Sequence, residues 1–313
     1  MFQNILVVID PSTDQQKALK RAIELASKIN MTTPDKSVVV TAFLSIFDFS
    51  YEMTTMLSTD ERDTMREMVI KEKQAWVDEL IESISSPVAI SSKVVWYNRP
   101  FEAIIEEVIH HNVDLVIKGT HQHDKFKSVI FTPTDWHILR KCPCPVLLVK
   151  DHKWPEQGNV LAALNIGGDE AEHSSLNKVI TTYTKNIAAL IYANVHLVNS
   201  YPGTPVNIAI EIPEFNASEY TNAMLIHHQE AMAEHANTFS IPSINTHVNE
   251  GLPEAVIQSV AKNIDAELVV MGTVGRTGIS AALIGNTAEH VLDQLSCDVL
   301  ALKPTGFVSP LAE

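Results

Sequence analysis

The chain repeats itself once. Asp114-Leu115-Val116-Ile117-Lys118-Gly119-Thr120 has its counterpart in Glu267-Leu268-Val269-Val270-Met271-Gly272-Thr273. Pro100 falls over Pro253, Cys144 over Cys297 and Lys150 over Lys303, all at one spacing of 153 residues. A period that long is no solenoid. It predicts two copies of one domain, residues 1–152 and 153–313, with the polar stretch from Asp151 to Asn159 between them. A chain of 313 residues lets each copy bury its own core.

Each copy alternates strand and helix patterns. In the first, Ile5–Ile9 is a continuous apolar run. A helix follows, with Ala18, Leu19, Ala22, Ile23, Leu25 and Ala26 on one face. Val38–Ile46 reads as a strand. Ser58 and Glu61 form a capping-box start for a helix to about Ser83. Val88–Trp96 is a third strand, Pro100 opens a helix, and Leu115–Ile117 and Val146–Val149 are strands four and five. In the second copy, strands are predicted near Val160–Leu164, Val195–Val198, Thr246–Val248, Leu268–Val270 and Val299–Leu302. Apolar strands separated by helices imply a parallel sheet covered on both faces.

The chemistry concentrates in residues 271 to 287 of the second copy. They carry Gly272, Gly275 and Gly285 in the spacing Gly-x2-Gly-x9-Gly, between an apolar strand and the helix starting near Thr287. Glycines let a backbone turn and approach closely, and free N–H groups at a helix start attract an anion. The spacing is neither the P-loop nor the dinucleotide fingerprint. The first copy puts Gln122 at the place of Gly275 and Thr132-Pro133 at the place of Gly285-Asn286. Pro133 has no N–H to offer.

Charge narrows the partners. The net charge is −15, and the second copy holds only six of the 23 Lys and Arg residues. Such a surface repels phosphate backbones, so nucleic acid is not an expected partner. An anionic ligand would need local N–H donors and a nearby cation such as Arg276. No apolar stretch reaches the ~20 residues of a membrane helix. The amino terminus lacks a basic start, and Asp10 cuts short its apolar run. Three cysteines suit a reducing compartment, so a cytoplasmic, membrane-free protein is expected.

Metal and catalytic readings find little. The adjacent pairs His110-His111 and His227-His228 diverge on a helix, and His121 with His123 lacks a specified third ligand. No zinc site is expected. Cys142-Pro143-Cys144 is not the redox spacing, and the cysteines read as structural. No nucleophile elbow or His-Glu-x-x-His is present.

The repeat, Asp10 at the end of strand one and the glycine loop together resemble the universal stress protein family, over nearly the whole chain. The resemblance implies two tandem open five-stranded parallel sheets of Rossmann-like type, strand order 3-2-1-4-5, with ligands at the switch point beside strands one and four. It implies ATP or a related adenine nucleotide, with magnesium only as the nucleotide brings it. In the second copy the implied residues are Asn165 at the strand-one Asp position, Val198 as base-packing residue after strand two, and Met271, Gly272, Gly275, Arg276, Gly285, Asn286 and Thr287. The resemblance also implies pairing of the copies through their fifth strands, Val146–Val149 and Val299–Leu302. The expected function is a non-enzymatic stress-response protein, at most a slow ATPase. The alternatives are a nucleotide-free scaffold, or a carrier of an apolar molecule under the segment 200–215, where Ile208, Ile210 and Ile212 would face one way.

Overall fold

The structure is a computed structural model that describes residues 2–33, 37–53, 57–122, 129–168, 171–203, 216–273 and 286–312. The chain divides into two compact units. One comprises Met1–His121, Phe131–Lys150 and Val308–Glu313, and the other Gln122–Ile130 and Asp151–Phe307.

The first unit runs β1 (Asn4–Val8), α1 (Lys17–Thr32), β2 (Val39–Ile46), α2 (Phe49–Glu52), α3 (Thr59–Ser83), β3 (Ile90–Trp96), α4 (Pro100–His110), β4 (Leu115–Gly119), α5 (Pro133–Lys141) and β7 (Val146–Val149), while between β4 and α5 the chain forms the short β5 (His121–Gln122) and β6 (Val129–Ile130), which from Gln122 to Ile130 belong to the second unit. The sheet of the first unit has the order β3-β2-β1-β4-β7, with parallel pairing throughout. Leu6, Val7, Leu115, Val116 and Ile117 are completely buried, because helices cover both faces of the sheet. The α3 start is the capping box its sequence announces. Ser58 Oγ accepts from Glu61 N–H, and the Glu61 carboxylate accepts from Ser58 N–H. The short ribbon of β5 with β6 has no forewarning in the sequence. Neither does α2, whose start sets Phe47 and Tyr51 against the Trp96 ring at centroid distances of 5.8 and 6.0 Å.

The second unit runs β8 (Asn159–Leu164), α6 (Ala171–Ile191), β9 (Asn194–Tyr201), α7 (Ala217–Thr238), a 3-10 turn (Ser243–Asn245), β10 (Thr246–Glu250), α8 (Pro253–Asn263), β11 (Ala266–Gly272), α9 (Asn286–Gln294) and β12 (Asp298–Leu302). Its order is β10-β9-β8-β11-β12, again all parallel. Both units therefore carry the order 3-2-1-4-5 that the resemblance implies. In each, the chain leaves the first strand in one direction and returns on its other side, so a crevice opens beyond the carboxyl ends of strands one and four. Those strand ends are β8 and β11 in the second unit. Among the described residues, no helix is long and apolar enough to cross a membrane.

Candidate functional site

In both units an amide side chain grips the residue just past the first strand. Gln16 accepts from the Asp10 N–H at 3.1 Å and donates to the Asp10 carbonyl at 2.6 Å. Asn177 does the same for Asn165, at 3.0 and 2.8 Å. Both amides are buried, so these bonds replace water for backbone groups that leave the sheet ladder. The Asp10 carboxylate is used locally, accepting from Ser12 N–H and Oγ–H at 2.9 and 2.6 Å.

The second unit opens a cavity of about 660 Å³ at its crevice. Leu164 and Asn165 enter it from the end of β8, and Met271, Gly272 and Thr273 from the end of β11. Ser200, Pro202 and Gly203 come from β9 and the residues after it, and Leu252, Pro253 and Ile257 from the start of α8. Helix α6 adds His173, Leu176, Asn177 and Ile180, and α9 adds Ala288. The walls are mostly aliphatic, and the polar groups lie at the strand ends. That is the pattern of a small-molecule pocket, and the volume lies within the range such pockets span.

Three of the residues named from sequence meet at this cavity: Asn165, Met271 and Gly272. Val198 does not. It is fully buried in the sheet, because β9 continues to Tyr201, paired to β10 through Ser200 and Tyr201. Strand two therefore ends at Tyr201, beyond Val198, and Ser200 near that end takes the place on the cavity wall. Gly275, Arg276 and Gly285 lie outside the described residues, as do Ile208, Ile210 and Ile212. Asn286 and Thr287 begin α9, as expected of the helix that ends the glycine loop. A Cβ at Gly272 would lie 2.7 Å from Leu176 Cδ2, so that side chain would have to shift to admit it.

The polar residues His173, Asn177, Ser200 and Thr273 of the cavity wall, and Lys303 behind it, were not singled out from sequence. Lys303 Nζ donates to Thr273 Oγ1 at 2.9 Å, and that hydroxyl donates to the Leu302 carbonyl at 3.3 Å. A cation is thus one hydroxyl removed from the cavity wall. The repeat carried the signal, since Lys303 is the counterpart of Lys150. Lys150 and Lys303 each lie over an aromatic ring, Phe131 and Phe307 respectively.

A second, polar groove of about 420 Å³ lies on the other side of the Asn165–Asn177 pair, between α6 and α7. Histidines dominate its surroundings, and their partners fix their tautomers. Thr181 Oγ1 donates to the Asn177 carbonyl, so it accepts from His235 Nε2 at 2.8 Å. Asn199 Oδ1 accepts from Ile166 N–H, so Asn199 Nδ2 donates to His228 Nδ1 at 3.0 Å. His227 Nε2 donates to the Gly167 carbonyl at 3.0 Å. Asn165 Nδ2 donates to His173 Nδ1 at 3.2 Å. His227 and His235 thus carry a proton on Nε2, and the Nδ1 atoms of His173 and His228 act as acceptors. Burial pushes His228 and His235 below 6.5, with His227 adding to the shift at His228 and Lys178 at His235. Gly167 has φ +101°, and a side chain there would strike the His228 ring. Among the described residues, no group of three or more His, Cys, Asp or Glu side chains is placed to hold a metal. The neighbouring Cys142 thiol, 3.5 Å away, and then burial hold the Cys144 thiol well above its ordinary range.

The family model described as the universal stress protein family matches residues 1–150 and again 159–303. Universal stress protein E of Escherichia coli K12 is 51% identical over 313 residues, covering 99% of this chain and 97% of that protein. Its homolog in Haemophilus influenzae is 45% identical over 306 residues, covering 97% and 98%. Among solved structures, a functionally unknown protein from Pseudomonas aeruginosa PAO1 is 31% identical, covers 97% of this chain and 93% of its own, and has a TM-score of 0.71. A universal stress protein from Archaeoglobus fulgidus, 16% identical with a TM-score of 0.60, shares the fold over 96% of this chain and 98% of its own. The order 3-2-1-4-5 in both units and the double family match agree, and the chain belongs to the universal stress protein family.

Proposed function

We propose that the second unit binds an adenine nucleotide, ATP in the first instance, and that the protein acts in the cytoplasm as a stress-response sensor rather than an enzyme. The observation that carries this reading is the cavity between Asn165 and the end of β11, at the switch point of the second sheet. The aliphatic walls suit a base and ribose. The Lys303 ammonium behind Thr273 and the start of α9 offer positive potential to phosphates. Magnesium would arrive with the nucleotide. Arg276 and the glycines of residues 272–285 complete the proposal from sequence.

The wall chemistry favours a second reading. Leu164, Leu176, Ile180, Leu252, Ile257 and Met271 would also suit an apolar or amphipathic small molecule. Titration calorimetry with MgATP separates the two. Binding by the full chain that is abolished by Gly275→Gln and only modestly changed by Asn165→Asp supports the nucleotide. Absence of MgATP binding, with an apolar compound released from the purified protein on mild denaturation, supports the carrier. Absence of both leaves an interaction scaffold.

A further inference from the structure

The first unit buries an ion pair where its fourth strand meets the following helix. Lys118 Nζ lies 2.6 Å from Asp135 Oδ1, and the two side chains are 10% and 0% exposed. The second Asp135 oxygen accepts from Thr132 N–H at 2.6 Å and from Thr132 Oγ1 at 2.8 Å. Lys118 Nζ also donates to the Gly119 carbonyl at 3.3 Å. A carboxylate supplied by the chain itself therefore sits at the start of α5, where a helix attracts an anion.

The repeat gives this pair its meaning. Lys118 and Met271 are counterparts, each next to last in the fourth strand of its unit. Asp135 and Ala288 are counterparts, each the third residue of the following helix. Met271 and Ala288 both line the cavity of the second unit. Where the second unit has two small or apolar walls facing open space, the first has a closed ion pair. The fold does not require it, since the second unit builds the same sheet order with Met and Ala. A buried ion pair is also weak evidence for stability, as apolar replacements of similar volume are often neutral or better.

We propose that Lys118 and Asp135 are the specificity-determining pair that keeps a small-molecule ligand out of the first unit, with the Asp135 carboxylate standing in for the ligand's own anion. The proposal rests on the reading of the second cavity only for the choice of probe. The test counts sites in the full chain by titration with MgATP and with anilinonaphthalene sulfonate, an apolar anion. Lys118→Met/Asp135→Ala removes both charges together and copies the second unit. It should keep its circular dichroism spectrum and bind one more equivalent of at least one probe than the unaltered chain. An unchanged site count overturns the proposal. One site in the variant and none in the unaltered chain would sink the second-unit reading and leave this one standing. The reverse exchange, Met271→Lys/Ala288→Asp, should remove one equivalent. If the first variant fails to fold, retention of all binding by the reverse exchange overturns the proposal.

Discussion

Asn177 holds the peptide of Asn165 by both ends of its amide, accepting from its N–H and donating to its carbonyl. Asn177 is buried and lines both the apolar cavity and the polar groove, so it is the wall between them. Asn177→Leu keeps the approximate size and loses both bonds. It should lower the stability of the second unit by about 1–2 kcal/mol, since two part-buried backbone groups lose partners. Asn177→Asp keeps the acceptor and should cost less. Urea unfolding followed by a probe in the second unit checks the ranking, and an equal loss in both variants would contradict it.

The imidazole of His228 is buried and accepts from Asn199, so a proton on Nδ1 would break that bond. Its folded pKa lies below 6.5, first through burial. The unfolded chain then protonates before the folded one as pH falls. The stability contributed by neutral His228 is complete above about 6.5 and is lost as pH falls toward its lowered folded value, at up to about 1.4 kcal/mol per pH unit. The groups around it are His227 on α7, Tyr201 on β9 and the Ile166 carbonyl, with Glu250 acting on Tyr201. His235, His196 and His247 are lowered too and add to the trend. Melting temperature should fall between pH 7 and 5, and His228→Gln should fall less steeply. A slope unchanged by that substitution would remove His228 from the account.

Gly272→Ala should destabilise the second unit by about 1 kcal/mol, because the new methyl lands 2.7 Å from Leu176 Cδ2 and that side chain must shift into the cavity. Trimming the neighbour in Gly272→Ala/Leu176→Ala should recover part of the loss that Leu176→Ala shows alone. Thermal melts of the three variants test this double-mutant cycle. Simple additivity would show that the two positions do not press on each other.

The pairing of the copies through Val146–Val149 and Val299–Leu302 is a proposal drawn from their apolar sequences, since an uncovered strand of this kind templates association. Residues 1–152 expressed alone should self-associate in sedimentation equilibrium at micromolar concentration. A monomer under those conditions rejects the pairing.

The sequence by itself determined the two-copy organisation, the alternation of strands and helices, and most helix starts. These depend on period, capping residues and proline position, which are local. Ser58 with Glu61 shows the case, for both halves of the box lie three residues apart and form as written. The strand order followed from the family resemblance. The placing of Asn165, Met271 and Gly272 at one cavity followed from that order. Only the tertiary structure decided that β9 runs on to Tyr201 and so replaces Val198 by Ser200 at the cavity, because its last residues are held by pairing to β10. Only the tertiary structure showed that Gln16 and Asn177 do one job from different distances along the chain. Lys118 and Asp135, Asn199 and His228, and Thr181 and His235 likewise meet from separate elements, the last two pairs 29 and 54 residues apart. Their contacts are set by sheet order and register, and no local pattern carries that information.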